Sequence, residues 1–296
     1  MLENNKMLKE AKSGQTSSLA WIIFMPFLFT FLLSIGLGIT FAIENILLKG
    51  NETTASLTYL QYIQYVVSFS LAGGGVLLVV RWVEKRKITS IGFFKERAIS
   101  SYFKGVAIAV IGIMAIISIL QFKGEVVLKV SVQQLGVNSL GLIILIGIAW
   151  IIQGAAEEIL VRGYMFQSLS AKYGLYKGVL ISSIVFALLH LGNNGITSLS
   201  LINILMCGLM LVLLVLKDEN LWGACGFHTA WNLFQGNIFG MNVSGNGLDA
   251  SLFTTTITQP SIWNGGQFGI EGSLLTTVFM LIISGILIWQ IRQKSI

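Results

Sequence analysis

The chain has 296 residues, enough for one or two domains, but only 11% of them are charged while 54% are apolar. That composition leaves too little polar surface to cover a water-soluble globule and excludes that class. The net charge of +6 does not point to nucleic acid, because the cations gather between apolar runs in the pattern that orients membrane proteins.

Lys6, Lys9 and Lys12 precede an apolar run that continues from Leu19 to about Thr40. A signal peptide would carry an apolar core of roughly 7–15 residues. The sequence therefore predicts a cytoplasmic segment over 1–18 and a retained first membrane helix. Runs long enough to cross ~30 Å of hydrocarbon lie at 19–46, 57–83, 102–120, 140–162, 179–191, 198–216, 221–240 and 274–291. None alternates with period two, and backbone in lipid must satisfy itself, so these are expected to be helices. The expected architecture is all-α: a polytopic protein of the cell membrane with about eight transmembrane helices, surrounded by lipid. Residues 19–296 form one membrane-embedded domain.

With both termini cytoplasmic, this count leaves only Lys49, Lys123 and Lys129 on the outer side and sends the remaining cations inward. The segment 241–272 is rich in Gly, Ser, Thr and Asn and reads as a polar outer loop without an assigned role. Cys207 and Cys225 fall inside apolar stretches, where small buried side chains are expected rather than a disulfide.

Against this background, Glu157, Glu158 and Arg162 stand out. An ionisable side chain in a bilayer costs roughly 2.5–3.5 kcal/mol even on a mild insertion scale. Residues four apart share a helix face, so Glu158 and Arg162 are expected to pair as a structural clamp. Glu157 lies about a hundred degrees away, on the face of Gln153, and is expected to be the reactive carboxylate. The two histidines, His190 and His228, also fall in apolar runs. Phe186 precedes His190 by four, and Asn232 follows His228 by four, so each pair shares a face. Gly223 and Gly226 leave room for close helix approach before His228. If the fourth helix continues to about Ala171 and turns back as a hairpin, Glu157 and His190 reach one depth, nearer the cytoplasmic half.

A carboxylate with its pKa raised by desolvation suits a general base towards water, and imidazole or amide groups suit a developing oxyanion. Glu157, His190 and His228 could instead hold zinc with a bound water. No His-Glu-x-x-His helix supports that alternative, and the absence of a fourth evident ligand favours the metal-free form.

The motifs Glu157-Glu158-x-x-x-Arg162, Phe186-x-x-x-His190 and His228-x-x-x-Asn232, in that order, resemble the CAAX protease and bacteriocin-processing family, also called Abi, of intramembrane endopeptidases. The resemblance covers about 145–240. It implies that Glu157 activates water, that His190 and His228 make catalytic or metal contacts, and that Asn232 supports the oxyanion. Glu158, Arg162 and Phe186 would be supporting positions. It also implies a membrane-associated protein or peptide substrate, processed in CAAX or bacteriocin-leader fashion, by either a glutamate-type or a zinc-dependent route. The competing readings are a non-enzymatic bacteriocin-immunity or scaffold protein and a cation transporter. The missing internal repeat argues against the transporter.

Overall fold

A computed structural model describes residues 5–13, 17–47, 53–131, 139–248 and 250–294; Lys49, expected on the outer side, lies outside them. The helices are α1 (Lys6–Ser13), α2 (Leu19–Leu47), α3 (Thr54–Leu78), α4 (Ala98–Phe122) and α5 (Ser139–Glu158). There follow α6 (Gln167–Tyr173), α7 (Leu175–Leu188), α8 (Ser198–Asp218), α9 (Trp222–Asn232) and α10 (Leu274–Gln293). Six continuous helices are apolar and long enough to span a bilayer: Leu19–Ile46, Thr54–Val83, Ala98–Phe122, Leu140–Tyr173, Ser198–Asp218 and Leu274–Gln293. The chain is an all-α, multi-pass integral membrane protein. Of the eight runs expected, the fifth and seventh are the short ones. The fifth becomes the 14-residue α7. The seventh becomes the 11-residue α9, prolonged by a π-wound turn over Leu233–Ile238.

Apolar side chains that a soluble protein would bury are displayed outward. On α2, Phe27 is 68% exposed and Phe41 65%, as expected of a helix whose solvent is hydrocarbon. One end of the bundle collects the basic turns. There the Lys6 amide donates to Glu219 (3.0 Å), Lys6 pairs with Glu96 (3.1 Å), and Lys294 donates to the Lys217 carbonyl (2.7 Å). Both ends of the described chain therefore meet on this basic face. The segment before α2, expected only as a cytoplasmic leader, contributes α1, whose Met7, Leu8 and Ala11 are buried. Nearby, Arg86, one of the cations expected on the inner side, is buried together with Glu84 and Gln167. Arg86 pairs with Glu84 (2.9 Å) and donates to Gln167 (2.6 Å), and Glu84 also accepts from the Ser17 amide (3.1 Å).

The opposite face carries the two short strands, β1 (Val126–Val130) and β2 (Phe253–Ile257), paired antiparallel from Val126↔Ile257 to Val130↔Phe253. The sequence reading had only helices. Five-residue runs rich in β-branched side chains fit a pleated edge, but they lie among apolar helices too long to let them register. The pairing clasps the segment after α4 to the 241–272 loop. Glu125 reinforces it by accepting from Ser261 (2.6 Å) and Asn264 (2.8 Å).

Candidate active site

The expected hairpin forms. The helix carrying Glu157 continues past Arg162 through a π-wound segment, Ile159–Phe166, and on to Tyr173. Gly174, at φ +91°, reverses the chain in a conformation that a side chain would disfavour. α7 then returns alongside. α9 reaches the same level because its backbone touches that of α4: a Cβ at Gly226 would overlap the Tyr102 carbonyl. α5 switches to π winding directly after Glu158, so that Arg162 lies within the π segment, and α9 does so directly after Asn232. Such segments are frequent at functional sites.

Glu157, His190, His228 and Asn232 line one cavity of about 230 Å³. Gln153 donates to Glu157 Oε1 (2.7 Å), and its own carbonyl accepts from Asn232 Nδ2 (2.9 Å). Glu157 Oε2 is buried and makes no hydrogen bond among the described residues. It faces His228 Nε2 at 3.7 Å, too far for a good hydrogen bond. Gln153 was recognised in the sequence only as a face-mate of Glu157; it is also the link from α5 to Asn232.

Glu158 and Arg162 form the expected ion pair, at 2.7 Å with both side chains fully buried. Glu158 does more than clamp, because the same oxygen contacts His228 Nδ1 at 3.0 Å. The Arg162 guanidinium in turn lies 4.3 Å from the Phe186 ring centre. Phe186 meets His190 edge-on at 4.9 Å and His228 at 6.3 Å. The ring therefore joins the three motifs.

His190 Nδ1 lies 2.8 Å from the Phe186 carbonyl. A carbonyl can only accept, so Nδ1 carries a proton. With Glu158 ionised, the same logic puts a proton on His228 Nδ1. Both imidazoles are thus anchored through Nδ1, an arrangement found for histidines that ligate metals. The donor set does not converge, however. Among the described residues no three His, Cys, Asp or Glu side chains come close enough together to hold a metal ion. The alternative zinc trio of Glu157, His190 and His228 is not brought together as a metal-binding group in this arrangement. Cys207 and Cys225 are both free.

The site lies further from the basic face than expected. Its walls include Asn193, Val243, Ser244 and Asn246 from the opposite connections, so the polar 241–272 loop folds inward to close it. A smaller cavity of about 40 Å³ shares Phe186, His190, His228, Asn232 and Ser244, and adds Asn203 and Glu271. Ser244 and Glu271 were not singled out in the sequence. The available signal was weak: apart from Asp249, Glu271 is the sole charged residue in 242–272. On the lipid side, an apolar groove of about 850 Å³ runs between α2 and α6–α7. It shares Thr30 and Leu189 with the polar cavity.

With three motifs from three helices meeting at one cavity, comparison with known proteins becomes informative. Residues 139–234 match the family model for Rce1-like proteins, type II CAAX prenyl endopeptidases. Through that segment, about a third of the chain, it is similar to the CAAX protease and bacteriocin-processing family. All three motifs lie inside the match. That similarity supports, in general terms, a CAAX-type intramembrane protease. No curated protein and no solved structure matches the chain significantly.

Proposed function

We propose that this protein is an intramembrane endopeptidase of the glutamate type, in which Glu157 activates water to hydrolyse a peptide bond. One observation carries the reading: Glu157 Oε2 is buried, makes no hydrogen bond among the described residues and belongs to the lining of the cavity, while Gln153 fixes the other oxygen at 2.7 Å. A carboxylate held by one oxygen and free at the other is placed to take a proton.

Glu157 removes a proton from a cavity water, the hydroxide oxygen bonds to the carbonyl carbon, and the carbonyl π pair moves onto oxygen. Asn232 has two N–H donors and uses one on Gln153 (2.9 Å). The second is available to that oxyanion. The C–N bond then breaks, and Glu157 returns its proton to the departing nitrogen, giving one acid and one amine. His190 and His228, anchored at Nδ1, offer Nε2 to the same space.

The groove between α2 and α7 supports a substrate that arrives from the lipid, with its apolar segment or lipid chain in the groove and its peptide bond at the cavity. The test is E157Q compared with wild type by mapping the peptide termini released from membranes. Fragments specific to wild type should fall at least ~100-fold, the scale of general acid–base catalysis. An identical set of termini in both would refute the assignment.

A further inference from the structure

Glu271 lies on the short turn Ile270–Gly272 just before α10, more than a hundred residues from Glu157 in sequence, yet it forms part of the same site. Its Oε2 accepts from both the Ser244 amide and the Ser244 hydroxyl, at 2.6 Å each. Asn203 holds its backbone by donating to the Glu271 carbonyl (2.8 Å). The same Asn203 amide also donates to Ser273 (2.8 Å), and its oxygen accepts from Thr277 (2.6 Å). The carboxylate is thereby fixed at both ends in a segment that is otherwise Gly-rich. It lines the small cavity with His190, His228 and Asn232, and Glu157 does not. Glu157 lines the large cavity, and Glu271 does not. The imidazoles stand between two carboxylates, one from α5 and one from the loop.

We propose that Glu271 is a positioning residue of the active site, its carboxylate holding His190 and His228 by charge from the side away from Glu157. The small cavity has room for about two waters, ringed by enough polar groups to bind them, so the hold can be direct or through water. Burial pushes the Glu271 carboxyl up overall, and the Ser244 hydrogen bonds and the two imidazoles pull it only part of the way back. A purely structural role for the residue would be confined to its bonds with Ser244. A Gln side chain can keep those bonds, because its carbonyl oxygen accepts as the carboxylate oxygen does.

The inference rests on the endopeptidase reading, so the test carries E157Q beside the Glu271 variants. The substrate is a synthetic peptide spanning a cleavage site whose use in membranes requires Glu157. E271Q in the full-length protein should lower kcat about 10-fold or more with KM within twofold and unchanged thermal unfolding, and E271D should recover part of the loss. E271Q with wild-type kcat while E157Q is inactive would overturn the role of Glu271 alone. E271D less active than E271Q would do the same, because shape rather than charge would then decide. Should E271Q fail to fold, S244A removes one of the two bonds to the carboxylate. A several-fold fall in kcat with KM and thermal unfolding unchanged supports the inference, and an unchanged kcat overturns it. If E157Q cleaves like wild type, the endopeptidase reading itself falls.

Discussion

Glu158 is the residue at which stability and catalysis can be separated most sharply. It is fully buried and bonds to an equally buried Arg162 at 2.7 Å and to His228 Nδ1 at 3.0 Å. E158Q keeps the shape and an accepting oxygen but removes the charge. The guanidinium is left with a 3.4 Å contact to the Gly208 carbonyl and the Phe186 ring at 4.3 Å. A cation–π contact contributes roughly 0.5–2 kcal/mol, whereas stranding one partner of a buried pair costs about 3–5 kcal/mol. The contacts cannot offset the loss, so E158Q is expected to lower thermal stability in lipid–detergent micelles markedly. E158L/R162M removes both charges and should regain most of that stability, since buried pairs are often replaceable by apolar residues of similar volume. Its activity should not return. His228 would have no acceptor for Nδ1, and loss of such an orienting partner typically costs about 10–100-fold in activity at comparable sites. Unfolding curves and cleavage of the Glu157-dependent peptide are measured on the same preparations. Wild-type turnover by E158L/R162M would refute the claim that Glu158 orients His228. Unchanged stability of E158Q would refute the burial argument.

Three further outcomes follow from the packing. F186L should keep the protein folded, yet lose about 1–2 kcal/mol of ring contacts with Arg162 and His190 and several-fold in turnover, read by unfolding and cleavage together. G226L should abolish the folded species in fluorescence-detected size exclusion, because its Cβ would meet the Tyr102 carbonyl, which is backbone and cannot swing away. N237A strips the acceptor from Trp150 Nε1, now 2.6 Å away, and the donor from the Ala250 carbonyl. At about 1–3 kcal/mol per stranded group, amide exchange around 250–257 should accelerate while α4 stays protected.

What could be read from the sequence followed the helix repeat. The Glu158–Arg162 pair, the Gln153–Glu157 contact and the Phe186–His190 contact each join residues four apart, and each forms. The hairpin that aligns α5 with α7 entered the sequence reading only as a condition, because the apolar run itself ended at Arg162; the structure meets that condition by carrying the helix on to Tyr173. Contacts that depend on how helices and loops come together were not legible. Glu158 to His228 spans 70 residues, and Ser244 to Glu271 lies within a loop whose composition suggests only polarity. The β1–β2 pairing needs both of its short segments at once, and neither carries a turn signal to its partner. The site was also expected nearer the basic face, because a depth count from helix ends does not show that a polar loop folds back into the bundle.

The two adjacent glutamates first appear to divide into one that is paired and one that works. The geometry alters the first half of that division. Glu158 gives one oxygen both to Arg162 and to His228, so the ion pair that neutralises the charge in the membrane also orients the imidazole opposite Glu157. Had Glu158 only needed neutralising, a partner one turn away on the same helix would have been sufficient, and nothing would require α9 at that spot. Instead a glycine on α9 brings its backbone against α4, and His228 arrives within reach of both carboxylates, at 3.0 Å from one and 3.7 Å from the other. The expense of a buried charge is thereby tied to a position that matters for chemistry. A variant that keeps both the Arg162 pair and the fold but draws His228 away from Glu158 should therefore be inactive.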